Sequence, residues 1–339
     1  MFNRQALSNA LNASRILASR AAATDLGKTA VDAANDSLFH PHESYLEIEG
    51  RLVKADGTAY ADTDAITLTH NGLMHLFERI EYRFYDSVVE SVNYPGIATT
   101  MLGMLKYPND FQQSKAMNQL WFKDNIATAN LHELFLLRRN DDNAIFKAAG
   151  IAAGKVNITR ISLMMRRATP SDVANLQLVK IIKSQETLDM GFRSRFLDRT
   201  NVPQNTTFDW RLGLRTTEKP RYILLNEERY PATNYSLSFP NMKITRAYRH
   251  ASNFAEDYYN MSNLISLCSI TPLDYRDLYP IMYFDVSKQS ERMKDSTVDI
   301  RLKAEFNTPV PANTIIFALI ISDRIAKFTS NGDRLRFEY

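Results

Sequence analysis

A chain of 339 residues is long enough for two domains, each able to bury its own core, and 45% apolar against 23% charged residues excludes a wholly disordered or fibrous chain. A net charge of +3 excludes a dedicated duplex-binding protein with a strong basic excess, so any nucleic-acid contact must be local. The single cysteine, Cys268, excludes an internal disulfide framework, and no apolar run approaches the roughly 20 residues that span a bilayer.

In chain order, residues 1–43 stand apart as an arm. Leu7, Leu11 and Leu17, with Ala10, Ala18 and Ala21, recur at three- and four-residue spacing beside Arg4, Arg15 and Arg20, which predicts an amphipathic helix. Three roles fit that helix: a contact on its own domain or a neighbouring subunit, an arm that orders on assembly, or a weak membrane-surface helix. From Tyr45 the period becomes two: Leu46 and Ile48 alternate with Glu47 and Glu49, and Asp56-Gly57 supplies a turn. Ile66 and Leu68 form a further short strand pattern. Strands are expected over Phe77–Phe84 and Val88–Val92, then a turn at Asn93–Gly96 and a short helix over Ile97–Leu105, closed by Pro108. Lys155–Met165 reads as a strand with a slip of phase near Arg160, the mark of a bulge.

Ala168–Ser171 is the best internal boundary, which gives β domains over 44–168 and 169–339. Beyond it, strands are predicted around Leu176, Leu178 and Ile181-Ile182, over Phe208–Leu214, and over Tyr222–Leu225 and Tyr235–Phe239. A polar-aromatic helix is expected over Ile244–Leu267, stopped by Thr271-Pro272. Val298, Ile300, Leu302, Ala304 and Phe306 then alternate without error with Asp299, Arg301, Lys303 and Glu305, as one buried and one wet face require. Ile315–Ile321 is apolar on both faces and therefore an interior strand. Many short strands, few helices and Pro, Gly and Asn turns define a mainly β protein of sandwich or jelly-roll type.

The catalytic templates fail. The sequence has no phosphate-cradling Gly-x4-Gly-Lys-Ser/Thr loop, no dinucleotide fingerprint and no Gly-x-Ser-x-Gly elbow, and His132-Glu133 lacks the second histidine of a zinc-protease helix. His40-Pro41-His42-Glu43 and Asp141-Asp142-Asn143 are read as a strand entry and an exposed turn rather than as ligands for zinc or calcium. The expectation is a non-enzyme with no cofactor and no metal. A basic stretch remains: Arg193, Arg195, Arg199, Arg211 and Arg215 face only a few acids, and are candidates for contact with nucleic-acid phosphates or a neighbouring subunit. The bland alternative is a set of solvated strand faces.

Several blocks resemble the double jelly-roll major capsid proteins, in particular those of Polinton-like and adintovirus-like elements associated with animals. In the first half these are Phe77–Tyr82, Val89–Gly96 and Thr99–Leu105. In the second half they are Arg138–Asn143 with Lys155-Val156, Val202–Trp210, Arg229–Ala232 through Ser238–Asn241, Ile270–Pro272, Phe284–Arg292, and Val310–Thr314 through Ile321–Asp323. The chain departs from the family pattern at Trp121–Leu131 and after Leu225, where little room is left for the usual strands. The resemblance implies two jelly rolls side by side, no catalytic residues, and homotrimers forming pseudo-hexagonal capsomers of an icosahedral DNA-virus particle. It also implies minor capsid or penton proteins as partners, with packaged DNA or an internal membrane at the inner face. A domesticated or minor shell protein, or a carbohydrate-binding jelly roll, stay open beside it.

Overall fold

The computed structural model describes residues 38–64, 66–84, 87–108, 110–111, 118–121, 145–147, 150–168, 171–184, 187–213, 219–225, 236–260, 268–287, 300–330 and 335–338. Leu7, Leu11 and Leu17, and with them the predicted arm helix, lie outside these residues, as do His132-Glu133 and Asp141-Asp142.

The first strand, β1 (Leu38–Lys54), starts earlier than its alternation predicts and takes in the last residues assigned to the arm. It pairs antiparallel with β6 (Gly154–Ala168), from Leu38 opposite Ala168 to Lys54 opposite Gly154. The register shifts between His40 and Tyr45, around Pro41, which has no N–H to give a ladder. It shifts again where Glu49 faces Arg160 and Gly50 faces Ile158, leaving Thr159 as the extra residue of the expected bulge. Gly50 is needed there, because a Cβ would stand 2.8 Å from the Asn157 carbonyl oxygen. At the far end, Gly57 takes φ +92° and Asp56 Oδ1 accepts from the Thr58 N–H (2.8 Å), so the predicted Asp-Gly turn forms.

Two short ladders follow. β2 (Ile66–Leu68) pairs with β5 (Ile145–Lys147), and β3 (Arg79–Phe84) forms a hairpin with β4 (Ser87–Asn93). The one-turn helix α1 (Gly72–His75) lies beside α2 (Pro95–Lys106), the expected helix of the first half. Pro95 opens α2 at a position where its missing N–H costs nothing. Buried Asn71 fixes the two helices together, donating to Thr99 Oγ1 (2.8 Å) and Thr100 Oγ1 (3.0 Å).

The segment predicted as strand around Leu176–Ile182 is instead a helix, α3 (Asp172–Lys183). Ser171 Oγ accepts from the Ala174 N–H at 3.4 Å, and Asp172 sits in the first turn. These are helix-start signals that outweigh the two-residue spacing of Leu176 and Leu178. The strand predicted over Tyr235–Phe239 is replaced by a reversal: Ser236 and Met242 take positive φ, and Ser238 and Lys243 form a lone bridge about Pro240. Tyr235 itself lies outside the described residues.

The main sheet is organised by β12 (Ile315–Ser330), the predicted interior strand. One edge pairs with β7 (Leu188–Asn201) over nearly its whole length, from Ile315–Asn201 to Phe328–Leu188. The other edge takes β9 (Lys219–Leu225) and then β13 (Leu335–Glu338), and β10 (Met282–Asp285) extends the sheet beyond β9. A second layer, β8 (Thr207–Arg211) with β11 (Arg301–Glu305), turns Phe208, Trp210, Leu302 and Ala304 into the same core as Phe317, Leu319 and Ile321. Residues 298 and 299 of the predicted strand lie outside the described residues, and the alternation holds over the part that is described.

Helix α4 (Thr245–Tyr259) packs on that sheet through Ala247, Ala251, Phe254, Ala255 and Tyr258, a stripe at helical spacing. It ends where Asn260 takes φ +53°, short of the predicted Leu267; residues 261–267 are not among those described. Helix α5 (Pro272–Asp277) starts with a reciprocal capping box between Thr271 and Asp274. The core that joins the β12 sheet, β8–β11 and α4 also includes Ile97, Met101 and Leu105 of α2 and the ring of Trp121.

Candidate functional site

Four of the five predicted arginines are described, and they occupy three environments rather than one surface. Arg215 lies outside the described residues. Arg211 is exposed on the outer face of β8, in register with Arg301 of β11. That face is charged along its length, and Asp209 and Lys303 meet across the ladder at 3.9 Å. Arg199 is exposed near the end of β7, its guanidinium 4.9 Å from the centre of the Tyr94 ring.

Arg193 and Arg195 turn inward. Both lie on the side of β7 that carries buried Leu197, because successive odd positions of a strand share a face. The C-terminal end of α4 stands over that face. Arg193 donates to the Tyr258 carbonyl and stacks on the Tyr258 ring at 4.4 Å, which places a cation at the negative end of the helix dipole. Arg195 donates to the Tyr258 hydroxyl at 3.1 Å. Its backbone N–H donates to Glu90 Oε1 at 2.8 Å, so β4 joins the cluster. Lys106, the last residue of α2, completes it with Nζ 5.0 Å from the Tyr258 ring and 5.5 Å from that of Tyr259. Three elements, α2, α4 and β7, therefore meet at the Tyr258 side chain, and β4 is joined to them through Glu90 and the Arg195 backbone.

The charges alter one another. Burial works against the Arg195 charge, but Tyr258 and Glu90 outweigh it and hold the guanidinium firmly protonated. Burial, with the repulsion of Arg195 and Arg193, lowers the Lys106 ammonium despite the attraction of Tyr258. Burial alone would raise the Tyr258 phenol, but Arg195, Lys106 and Arg193 bring it down to about 7. Tyr259, next along the chain, moves the other way, to about 12, through burial and the proximity of Tyr258.

Sequence reasoning missed Lys106, Tyr258 and Glu90. The available signal was Glu90 itself, a carboxylate inside Val88–Val92 that ends 2% exposed. Elsewhere, burial and then His70 lower His75 to about 4, which keeps it neutral against Gly96. His40 and His42 lie in β1 at its first register shift. Among the described residues, no group of three or more His, Cys, Asp or Glu is placed to hold a metal ion. None of the described helices is long and apolar enough to cross a membrane.

A two-layer β core with a central C-terminal strand is that of a β-sandwich protein, and the sequence comparison places it more closely. The family model described as "Double jelly roll-like domain" matches residues 121–226 and 223–326, together more than half of the 339 residues. The chain belongs to the double jelly roll-like domain family. No curated protein matches it in sequence. Among solved structures it is similar to the VP54 protein of PBCV-1 fitted into a reconstruction of the virophage Sputnik, with 9% identity, TM-score 0.39, and 88% of this chain and 97% of that one covered. It is also similar to a chain of the quasi-atomic PBCV-1 virus capsid, with 10% identity, TM-score 0.40 and the same coverage.

Proposed function

We propose that the protein is a structural capsid subunit, a major capsid protein whose homotrimers form pseudo-hexagonal capsomers of an icosahedral DNA-virus shell. The observation that carries this reading is the double jelly-roll family match over 121–326, which runs through most of the capsid-like blocks of the second half. The physical chemistry of the chain suits it. The central strand β12 is paired on both edges, and the outer face of β8–β11 is charged, a combination that resists indiscriminate edge-to-edge association. In this reading the role is mechanical rather than enzymatic, and the protein resides in the virion. Its first partner is itself, then minor capsid or penton proteins, with DNA or a membrane at the inner face. The Polinton-like or adintovirus-like affiliation is part of the same proposal and rests on the resembling blocks.

Light scattering on purified protein, followed by negative-stain imaging, tests the reading. The expected result is a trimer that appears as a pseudo-hexagonal ring. A protein that stays monomeric at high concentration overturns it.

A further inference from the structure

Cationic side chains of α2 and β7 converge on one tyrosine of α4, whatever the protein assembles into. We infer that Tyr258 serves as the buried counter-ion of Lys106, Arg193 and Arg195, and that this pairing fastens α2 and α4 to β7.

The cluster has more cations than accessible anions. Three positive side chains converge on a tyrosine that is itself 6% exposed. Glu90 is the cluster's own carboxylate: it accepts from the Arg195 backbone N–H and favours the Arg195 cation, so it offsets one of the three positive charges. The other carboxylates are turned to other donors: Asp257 on α4 accepts from the Tyr283 hydroxyl of β10 at 2.9 Å, and Asp323 of β12 pairs with Arg221 of β9 at 2.8 Å. Among the described residues, Tyr107 after α2, Tyr222 of β9 and Tyr259 also stand around the phenol, and burial raises all three. Among the described residues, Lys106 Nζ meets only two rings, and the buried Arg195 Nε has no acceptor. A neutral phenol leaves this excess charge poorly solvated. A phenolate relieves it where it is greatest, since its oxygen already accepts from Arg195.

The sign follows from the direction of the shift. A tyrosine titrates near 10 in the unfolded chain and near 7 in this setting, so the folded state is the one that gives up the proton. The stabilisation is absent below pH 7, grows as pH rises to about 10, and is level above that. Lys106 adds a slope of the same sign, because its ammonium is disfavoured in the folded state.

The test uses the full chain. Absorbance at 295 nm should show one of the 16 tyrosines ionising near neutral pH, a step lost in Tyr258→Phe. Melting temperature should climb between pH 7 and 9 in the wild type and climb much less in Tyr258→Phe. Lys106→Met should fold and move the tyrosine step to higher pH, which carries the test if Tyr258→Phe is unstable. No tyrosine titrating below pH 9 overturns the inference. So does a step untouched by both substitutions, or a pH slope that survives in Tyr258→Phe and vanishes only in Lys106→Met.

Discussion

The β12 sheet and the β1–β6 ladder are both long antiparallel pairings, but they store stability very differently. Along β12, every residue from Ile316 to Ser322 is buried, with β7 along one edge throughout and β9 along the other from Ala318 onward. Along β1 and β6 the apolar face of Leu46, Ile48, Ile161 and Leu163 is half-buried, and among the described residues Ile48 and Ile161 pack on the small cluster of Phe77 and Ile80. Equal ladder length does not mean equal core. What separates the two is how many other elements each strand touches.

The sharpest way to break the comparison is to excavate each region once. Leu319→Ala empties a site with no exposure at the centre of the main core and should cost about 3–5 kcal/mol. Ile48→Ala, from a half-buried face, should cost only about 1 kcal/mol. Chemical denaturation of the two variants checks the contrast, and equal losses would show that the ladder has a core of its own. An intermediate effect is expected at the contact between α2 and Trp121. A methyl at Gly103 would overlap that ring, so Gly103→Ala should lower stability by about 1–3 kcal/mol and shift tryptophan fluorescence. The smallest effect belongs to the ladder surface. Arg160 reaches Glu49 at 3.2 Å and Glu47 at 3.6 Å with all three side chains well exposed. Arg160→Ala should therefore change stability by no more than about 0.5 kcal/mol in a denaturation midpoint.

The same contrast explains what was legible in the sequence. Ile315–Ile321 is apolar at every position, and Leu302 and Ala304 alternate cleanly with charges, so both strands could be read from local pattern. The bulge at Thr159 and the turn at Asp56-Gly57 were legible for the same reason. Residues 172–183 are ambiguous in local pattern, because Leu176, Leu178, Ile181 and Ile182 fit a strand as readily as a helix, and the signal that separates the two is Ser171, whose Oγ accepts from the Ala174 N–H. The arginine cluster was not legible as a cluster. Its members come from four elements far apart in sequence, and only the fold makes Arg195 a neighbour of Glu90, Lys106 and Tyr258. A count of basic residues along the chain cannot tell a solvated face from an enclosed one.

The placement of β12 also has a consequence in time. Both of its long partners, β7 and β9, precede it by most of the second half of the chain. While the protein is being synthesised, those strands emerge with open edges and wait for the strand that closes them. Folding is then governed by late, long-range pairing and should be slow, with exposed strand edges at risk until translation nears its end. A chain interrupted before Ile315 lacks the strand that pairs with both β7 and β9, and with it the centre of its main sheet.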